Sequence, residues 1–366
     1  MPSGRETAVQ VSPGYSTLEP DPNAARQTSK PRRVLSHKQY MDGILRGDRT
    51  ILARAITLIE SSRASDCELA ERIIEDCLPH GGDSIRAGIT GVPGAGKSSL
   101  IEALGKYLID EQRQKVAVLA IDPSSQLSGG SILGDKTRMT SVASSEMAFI
   151  RPSPSRGFSG GVAQHTREAM LLCEAAGYRN ILVETIGVGQ SEIAVHDMVD
   201  FFVLIALAGA GDELQGIKRG VMELADLVAI NKADGGNVAA AERARTEAQN
   251  ALHFFPVSDS GWTPRAVTCS GLTGSGIASI WQCVLEYADA TKSTGWFERA
   301  RQMQKRLWMQ DLLDQGLRQL FESHPAVRKR LADLEKDVVE GQTTPFRAAR
   351  VLLNAFSEPD SRRTSS

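Results

Sequence analysis

The chain lacks a cysteine pattern, a long apolar run and a net charge of any size, and each absence removes a class of function. Its five cysteines, Cys67, Cys77, Cys173, Cys269 and Cys283, are odd in number and widely spaced. No C-x-x-C or C-x-C pair occurs, which argues against a disulfide framework and a zinc ribbon and fits a reducing compartment. Six scattered histidines form no pair at metal-ligand spacing and read as surface or internally satisfied residues. The longest apolar run, Phe201 to Ala208, is far short of the ~20 residues that a membrane-spanning helix needs. It reads instead as a buried strand entering a glycine-rich loop. A net charge of −2 supplies no basic field for nucleic acid or an anionic membrane, so neither is expected as a partner. No internal repeat is visible.

What remains is ordinary in bulk: 366 residues, 41% hydrophobic and 23% charged, enough for a large α/β domain with helical additions. Residues 1–35, rich in Ser, Pro, Gly and Arg, read as a disordered tail. Arg5, Arg26, Arg32 and Arg33 admit a transit peptide, but Glu6, Glu19 and Asp21 speak against one. The expected location is therefore cytoplasmic, with the mitochondrial matrix as the alternative. Residues 36–82 read as a helical segment of three helices, with Ser36, Asp48 and Asp66 as N-caps and an end at Gly81-Gly82.

Residues 83–290 alternate short apolar runs with helical patterns. Strands are expected at Ile85–Thr90, Val116–Ile121, Met147–Arg151, Asn180–Glu184, Phe201–Leu207, Leu227–Asn231 and Ala266–Thr268. This is the pattern of an α/β fold, a mainly parallel sheet covered by helices, in which the ligand sits beyond the carboxyl ends of the strands. Residues 291–356 carry only helical patterns, from Trp296 to Phe321, from Pro325 to Val339 and from Pro345 to Phe356. Residues 357–366 read as a second disordered tail.

Residues 91–98, Gly-Val-Pro-Gly-Ala-Gly-Lys-Ser, match G-x-x-x-x-G-K-[ST] between a strand and a helix. Such a loop turns successive N–H groups toward phosphate oxygens, and the helix N-terminus adds a partial positive charge. Gly91, Gly94, Ala95, Gly96 and Ser99 thus belong to a phosphate cradle. Lys97 is placed to reach the β- and γ-phosphates, and the Ser98 hydroxyl to ligate Mg²⁺.

Asn231-Lys232-Ala233-Asp234 follows the strand Leu227–Ile230. The Asp234 carboxylate suits guanine, which offers N1–H and N2–H₂ together, whereas adenine has no such pair of donors. Asn231 is suited to fixing the loop and approaching the base, and the Lys232 stem to covering one base face. Ser270-Gly271-Leu272 is placed to offer a backbone N–H to guanine O6. The chain is therefore expected to bind GTP and GDP rather than ATP.

Asp122, at the end of the second strand, suits the Mg²⁺ shell directly or through water. Asp135 is a second candidate, for Mg²⁺ or for the attacking water, and Arg138 for offsetting charge on the phosphates. Glu184 ends a strand ahead of Thr185-Ile186-Gly187-Val188-Gly189-Gln190. It suits Mg²⁺ through water, or the positioning of the nucleophilic water. Gly187 is the natural N–H donor to the γ-phosphate. Val188 stands where many small GTPases carry a glutamine, so slow intrinsic hydrolysis that a partner accelerates is expected. A third loop, Gly209 to Gly220, reads as a mobile switch.

Together these stretches resemble the MeaB-type GTPases, also called the ArgK or MMAA family, over roughly residues 40–356. Ile121-Asp122-Pro123-Ser124-Ser125, Gly134 to Met139, Glu184 to Glu192 and Gly209 to Gly220 carry the likeness beside the phosphate loop. The resemblance implies a P-loop fold with N- and C-terminal helical extensions. It implies a G-protein chaperone of an adenosylcobalamin-dependent acyl-CoA mutase, methylmalonyl-CoA mutase or a close relative, which gates cofactor delivery and protects or reactivates the mutase. It implies a homodimer formed through the C-terminal helices. It places Lys97, Asp135, Arg138 and Glu184 in catalysis, and Ser98, Asp122, Asp135 and Glu184 around Mg²⁺. Asp212, Gln215 and Lys218 fall in the switch that communicates with the mutase. No D-x-H-x-x-G cobalamin motif is present, so the adenosylcobalamin is expected on the partner. Two alternatives compete. A nickel-type metallochaperone GTPase would carry a His- or Cys-rich loop, and none is present. A kinase linked to basic amino-acid transport is the other; H-R-D and D-F-G are missing.

Overall fold

One sheet carries every strand among the described residues: β1 (Ile85–Gly91), β2 (Val116–Asp122), β3 (Ala148–Pro154), β4 (Asn180–Glu184), β5 (Phe201–Leu207), β6 (Leu227–Asn231) and β7 (Arg265–Thr268). Their order is β3-β2-β4-β1-β5-β6-β7, and all neighbours run parallel. The structure is a computed structural model that describes residues 35–61, 63–122, 139–154, 165–185, 191–208 and 219–357. Parallel pairing requires a crossover after each strand, which places helices on both faces. The alternation along β2 shows it: Ala117, Leu119 and Ile121 join one apolar cluster, while Val116 and Val118 join the other. The chain moves outward from β1 to β2 and β3, returns to β4, then crosses to β5 on the far side of β1. This reversal opens a crevice at the carboxyl ends of β1 and β4, where ligands bind in such sheets.

Three N-terminal helices, α1 (His37–Leu45), α2 (Arg49–Ile59) and α3 (Ala64–Cys77), precede β1. Ser36 caps α1 in a reciprocal box with Gln39, and the Asp48 carboxylate accepts from the N–H groups of Thr50 and Ile51 at 2.8 and 3.1 Å. The third cap differs from expectation. Arg63 is the N-cap of α3, without a side-chain bond; Asp66 lies in the first turn, where its carboxylate accepts from Ser61 Oγ at 2.6 Å. A short local hydrogen bond outcompetes the cap. Helix α3 ends at Cys77 and passes through a 3₁₀ turn, Leu78–His80, to Gly81.

Between the strands come α4 (Lys97–Asp110), α5 (Thr140–Ala143), α6 (Thr166–Ala175), α7 (Ser191–His196), α8 (Arg219–Glu223) and α9 (Val238–Leu252), and α10 (Ile277–Ser293) follows β7. Helices α4 and α10 cover one face through Leu100, Ile101, Leu104, Ile280, Trp281 and Val284. The other face is covered by α6 and α7, with α1–α3 packed over α6. All five cysteines are free thiols.

The chain ends in α11 (Trp296–Ser323), α12 (Pro325–Val339) and α13 (Pro345–Ser357). At 28 residues α11 is about 42 Å long, and side-chain bonds from Arg301, Gln304 and Asp311 tie it to the rest of the chain. Arg301 does the anchoring: Nε and Nη2 donate to the Asp200 carboxylate at 2.8 and 2.7 Å. Nη1 and Nη2 also reach the carbonyls of Gly82 and Ser84 at 2.7 Å. Beyond Asp311, which pairs with Arg167, a stripe of apolar side chains stands in solvent: Leu312, Leu313, Leu317 and Leu320. No helix among the described residues is long and apolar enough to cross a membrane.

Candidate nucleotide site

The phosphate loop joins β1 to α4, and two of its glycines are dictated by close approach. Gly91 has φ 152°, and a Cβ there would lie 2.4 Å from the Ile205 carbonyl on β5. Gly96 has φ 86°, and a Cβ there would lie 2.6 Å from Asn231 Nδ2. No other residue fits either place. Helix α4 starts at Lys97 with no side-chain cap, which leaves its positive end for an anion.

Lys97 is buried, and its Nζ donates to the carbonyls of Gly91 and Val92 at 2.8 and 3.3 Å. Burial pulls its pKa down from the ordinary lysine value, while the carboxylates of Glu184 and Glu192 push it back up. Ser98 Oγ donates to Glu184 Oε1 at 2.9 Å, tying the start of α4 to the end of β4. The register accounts for this meeting: Ile89 stands opposite Glu184 across the β1–β4 ladder. Directly beside it, Thr185 Oγ1 donates to Thr90 Oγ1 at 2.8 Å. Two oxygen-bearing side chains and an ammonium thus converge at the mouth of the loop, at the carboxyl edge of the sheet.

The Asn231 loop lies on the other side of the phosphate loop, at the end of β6. Asn231 is 2% exposed and engages both ends of its amide. Nδ2 donates to the Ala95 carbonyl at 2.8 Å, and Oδ1 accepts from the Gly271 N–H at 3.1 Å. It acts as a staple between the phosphate loop and the Ser270-Gly271-Leu272 loop. Burial pushes the Cys269 thiol up to about 12, so it stays protonated, and its S–H lies 3.7 Å from Asn231 Oδ1. Ser270 Oγ donates to Asp234 Oδ2 at 2.5 Å and accepts from the N–H groups of Leu272 and Thr273 at 3.2 and 3.1 Å. Asp234 is held in a fixed orientation by this hydroxyl. The three N–H groups read as candidates for guanine O6 all have internal acceptors: Ser275 O for Ser270, Asn231 Oδ1 for Gly271 and Ser270 Oγ for Leu272. Of these, only the Leu272 N–H sits on an exposed residue with a long, replaceable bond. Lys232 adopts φ 60°, its carbonyl accepting from Asn237 Nδ2 at 2.8 Å. Gly271 backs onto α4, where a Cβ would lie 2.9 Å from the Ser99 carbonyl carbon. Gly94 has φ 81° with open space around it.

Of the remaining expected residues, Asp122 ends β2, its backbone two positions past Ala120, which stands opposite Glu184. Asp135, Arg138, Gly187, Asp212, Gln215 and Lys218 lie outside the described residues. Among the described residues no group of three His, Cys, Asp or Glu side chains forms a metal cluster. A cavity of about 560 Å³ lies at the opposite end of β1, against Arg86, Glu174 and Arg301; these side chains are engaged in ion pairs, Arg86 with Glu174 and Arg301 with Asp200. Two contributions escape the sequence. One is the staple itself, since the Asn231 motif does not say what the amide bonds to. The other is Glu192, eight residues after Glu184 in the same glycine-bearing stretch, whose signal is only its place there.

Residues 52–326 match the family model described as methylmalonyl Co-A mutase-associated GTPase MeaB. A putative GTPase of Caulobacter vibrioides is 50% identical over 313 residues, 86% of this chain and 95% of the relative. The mitochondrial methylmalonic aciduria type A homolog of Mus musculus is 43% identical over 324 residues, 86% of this chain and 78% of the relative. Among solved structures, one titled as a LAO/AO transport system kinase superposes with a TM-score of 0.68 at 35% identity, covering 88% of this chain and 98% of its own.

Proposed function

The chain belongs to the MeaB family of GTPases, and from that premise we propose that it is the GTP-driven chaperone of an adenosylcobalamin-dependent acyl-CoA mutase. It hydrolyses GTP and binds guanine nucleotide, as its family does. The observation that carries the nucleotide half is the Asn231 staple, which locks a phosphate loop and an Asp234-bearing loop into one pocket. The mutase half is supported by the family's own description and by the methylmalonic aciduria relatives.

In this reading Lys97 and the N–H groups of the loop hold the phosphates, and Asp234 reads the base. Ser98 and Glu184 fit Mg²⁺, because a hydroxyl and a carboxylate oxygen 2.9 Å apart beside a phosphate cradle are the hard donors that this ion takes. With Asp122 and Asp135 they would hold it, and the ion would neutralise phosphate charge. Arg138, Gly187 and the segment with Asp212, Gln215 and Lys218 complete the proposed machinery. The adenosylcobalamin belongs to the mutase, and the chain works in the cytoplasm. The test is size-exclusion chromatography with an adenosylcobalamin-dependent methylmalonyl-CoA mutase. Co-elution whose strength differs between GDP and a non-hydrolysable GTP analogue is expected; no complex in either state overturns the mutase reading. The transport-kinase title of the solved relative calls for a control with [γ-³²P]GTP, in which release of inorganic phosphate without a labelled protein favours hydrolysis.

The C-terminal helices form a homodimer in this reading. Leu313 and Leu317 are 56% and 58% exposed on α11, one turn apart, an apolar surface that a single chain leaves in water. Replacing both with glutamate is expected to shift sedimentation from dimer to monomer while GTP binding persists. A wild-type chain that sediments as a monomer sinks the assignment.

A further inference from the structure

Helix α11 is tied down at two places. Arg301 grips Asp200, and Gln304 Nε2 donates to the Val199 carbonyl at 2.7 Å. Asp311 pairs with Arg167 ten residues beyond Arg301, about 15 Å along the axis. The cavity of about 560 Å³ lies along this stretch, between α11, α6 and the link from α3 into β1. Its size is that of a small-molecule site, for which about 300–1,000 Å³ is usual. Leu171, Met198 and Phe297 are buried and form an apolar wall with the half-buried Trp308.

The charged groups of the lining divide into two sets. Arg86 and Arg301 are taken up by Glu174 and Asp200, and Asp83 by Arg179. Lys292 and Lys305 are exposed and have no ion pair among the described residues. The Lys292 ammonium stands 5.1 Å from the Phe297 ring centroid, at the edge of the apolar wall. Arg167 donates from Nη1 to Asp311 at 2.7 Å, while its buried Nε has no acceptor among the described residues. Glu298 is the one lining carboxylate without an ion pair among the described residues.

We propose that this cavity is a binding site for a small organic anion, a carboxylate-like head group on an apolar body. The head group meets Lys292, Lys305 and the spare Arg167 donor, and the body covers Leu171, Met198 and Phe297. An inorganic anion would leave that wall in water, and an uncharged apolar molecule would leave the lysines without a counter-charge. Occupancy braces α11 against α6 between its two anchors. The cavity lies at the end of β1 remote from the phosphate loop, so the inference is independent of the nucleotide and mutase readings.

The probe is 8-anilinonaphthalene-1-sulfonate, which carries one sulfonate on an aromatic body and fluoresces once out of water. It is expected to bind the full chain once, with a micromolar Kd. Octanoate should displace it, whereas 1-octanol and sodium sulfate at the same concentration should not. Lys292→Glu combined with Lys305→Glu should weaken binding about tenfold, and Glu298→Gln should tighten it about threefold, with GTP affinity unchanged in both. A variant that only loosened the packing would not tighten binding, so the pair of opposite effects separates charge recognition from a change in folding. Absence of binding, equal affinity in the charge variants, or displacement by sulfate alone overturns the proposal. So does loss of the signal on Leu313→Glu with Leu317→Glu, which would place the probe on the exposed stripe of α11 instead.

Discussion

Asp234→Asn is expected to weaken GTP binding by about a hundredfold and to improve binding of xanthosine triphosphate. Hydrogen bonds to a charged group contribute roughly 1.5–3 kcal/mol each, and the carboxylate is placed to accept two from guanine. Asparagine keeps one acceptor and turns the other position into a donor, which meets the C2 carbonyl of xanthine instead. The fold should tolerate the change, because the amide oxygen still accepts from Ser270 Oγ. Titration with fluorescent GTP and xanthosine triphosphate analogues, beside a thermal melt, measures both effects. An unaltered GTP affinity would remove Asp234 from the base site.

Asn231→Ala should cost both stability and binding, a combination that separates a staple from a base contact. It leaves the Ala95 carbonyl and the Gly271 N–H without their partner in an interior where Asn231 was 2% exposed. Each orphaned buried group costs about 1–3 kcal/mol, so for the two a loss of about 2–6 kcal/mol is expected in urea denaturation. Nucleotide affinity should fall for GTP and GDP alike, because the phosphate loop and the Ser270 loop lose their common reference. Were stability to hold while affinity fell, the side chain would be contacting the base directly and the staple would be wrong.

Much of this is legible in the amino-acid sequence. All seven strands lie where the apolar runs placed them, within a few residues at each end. The caps Ser36 and Asp48 act as read, because capping is a bond between residues two and three apart. Asp66 failed for an equally local reason, the competing Ser61 hydroxyl. The phosphate loop and the Asn231 motif were legible as fragments with a known chemistry. Their connection was not, because the bond from Asn231 to Ala95 spans 136 residues. The same holds for Arg301 and Asp200, 101 residues apart, and for Ser98 and Glu184, 86 apart.

Sequence alone determined the chemistry available to this protein: which side chains follow which strand, and that the strands alternate with helices and so run parallel. Those are short-range properties, carried by periodicity, glycine and capping residues. Tertiary structure decided which of those side chains meet. The β1–β4 register set Glu184 opposite Ile89 and hence beside Ser98, and the fold brought the Asn231 amide against the Ala95 carbonyl. Pairing and packing act between segments remote along the chain, and no local pattern encodes the partner.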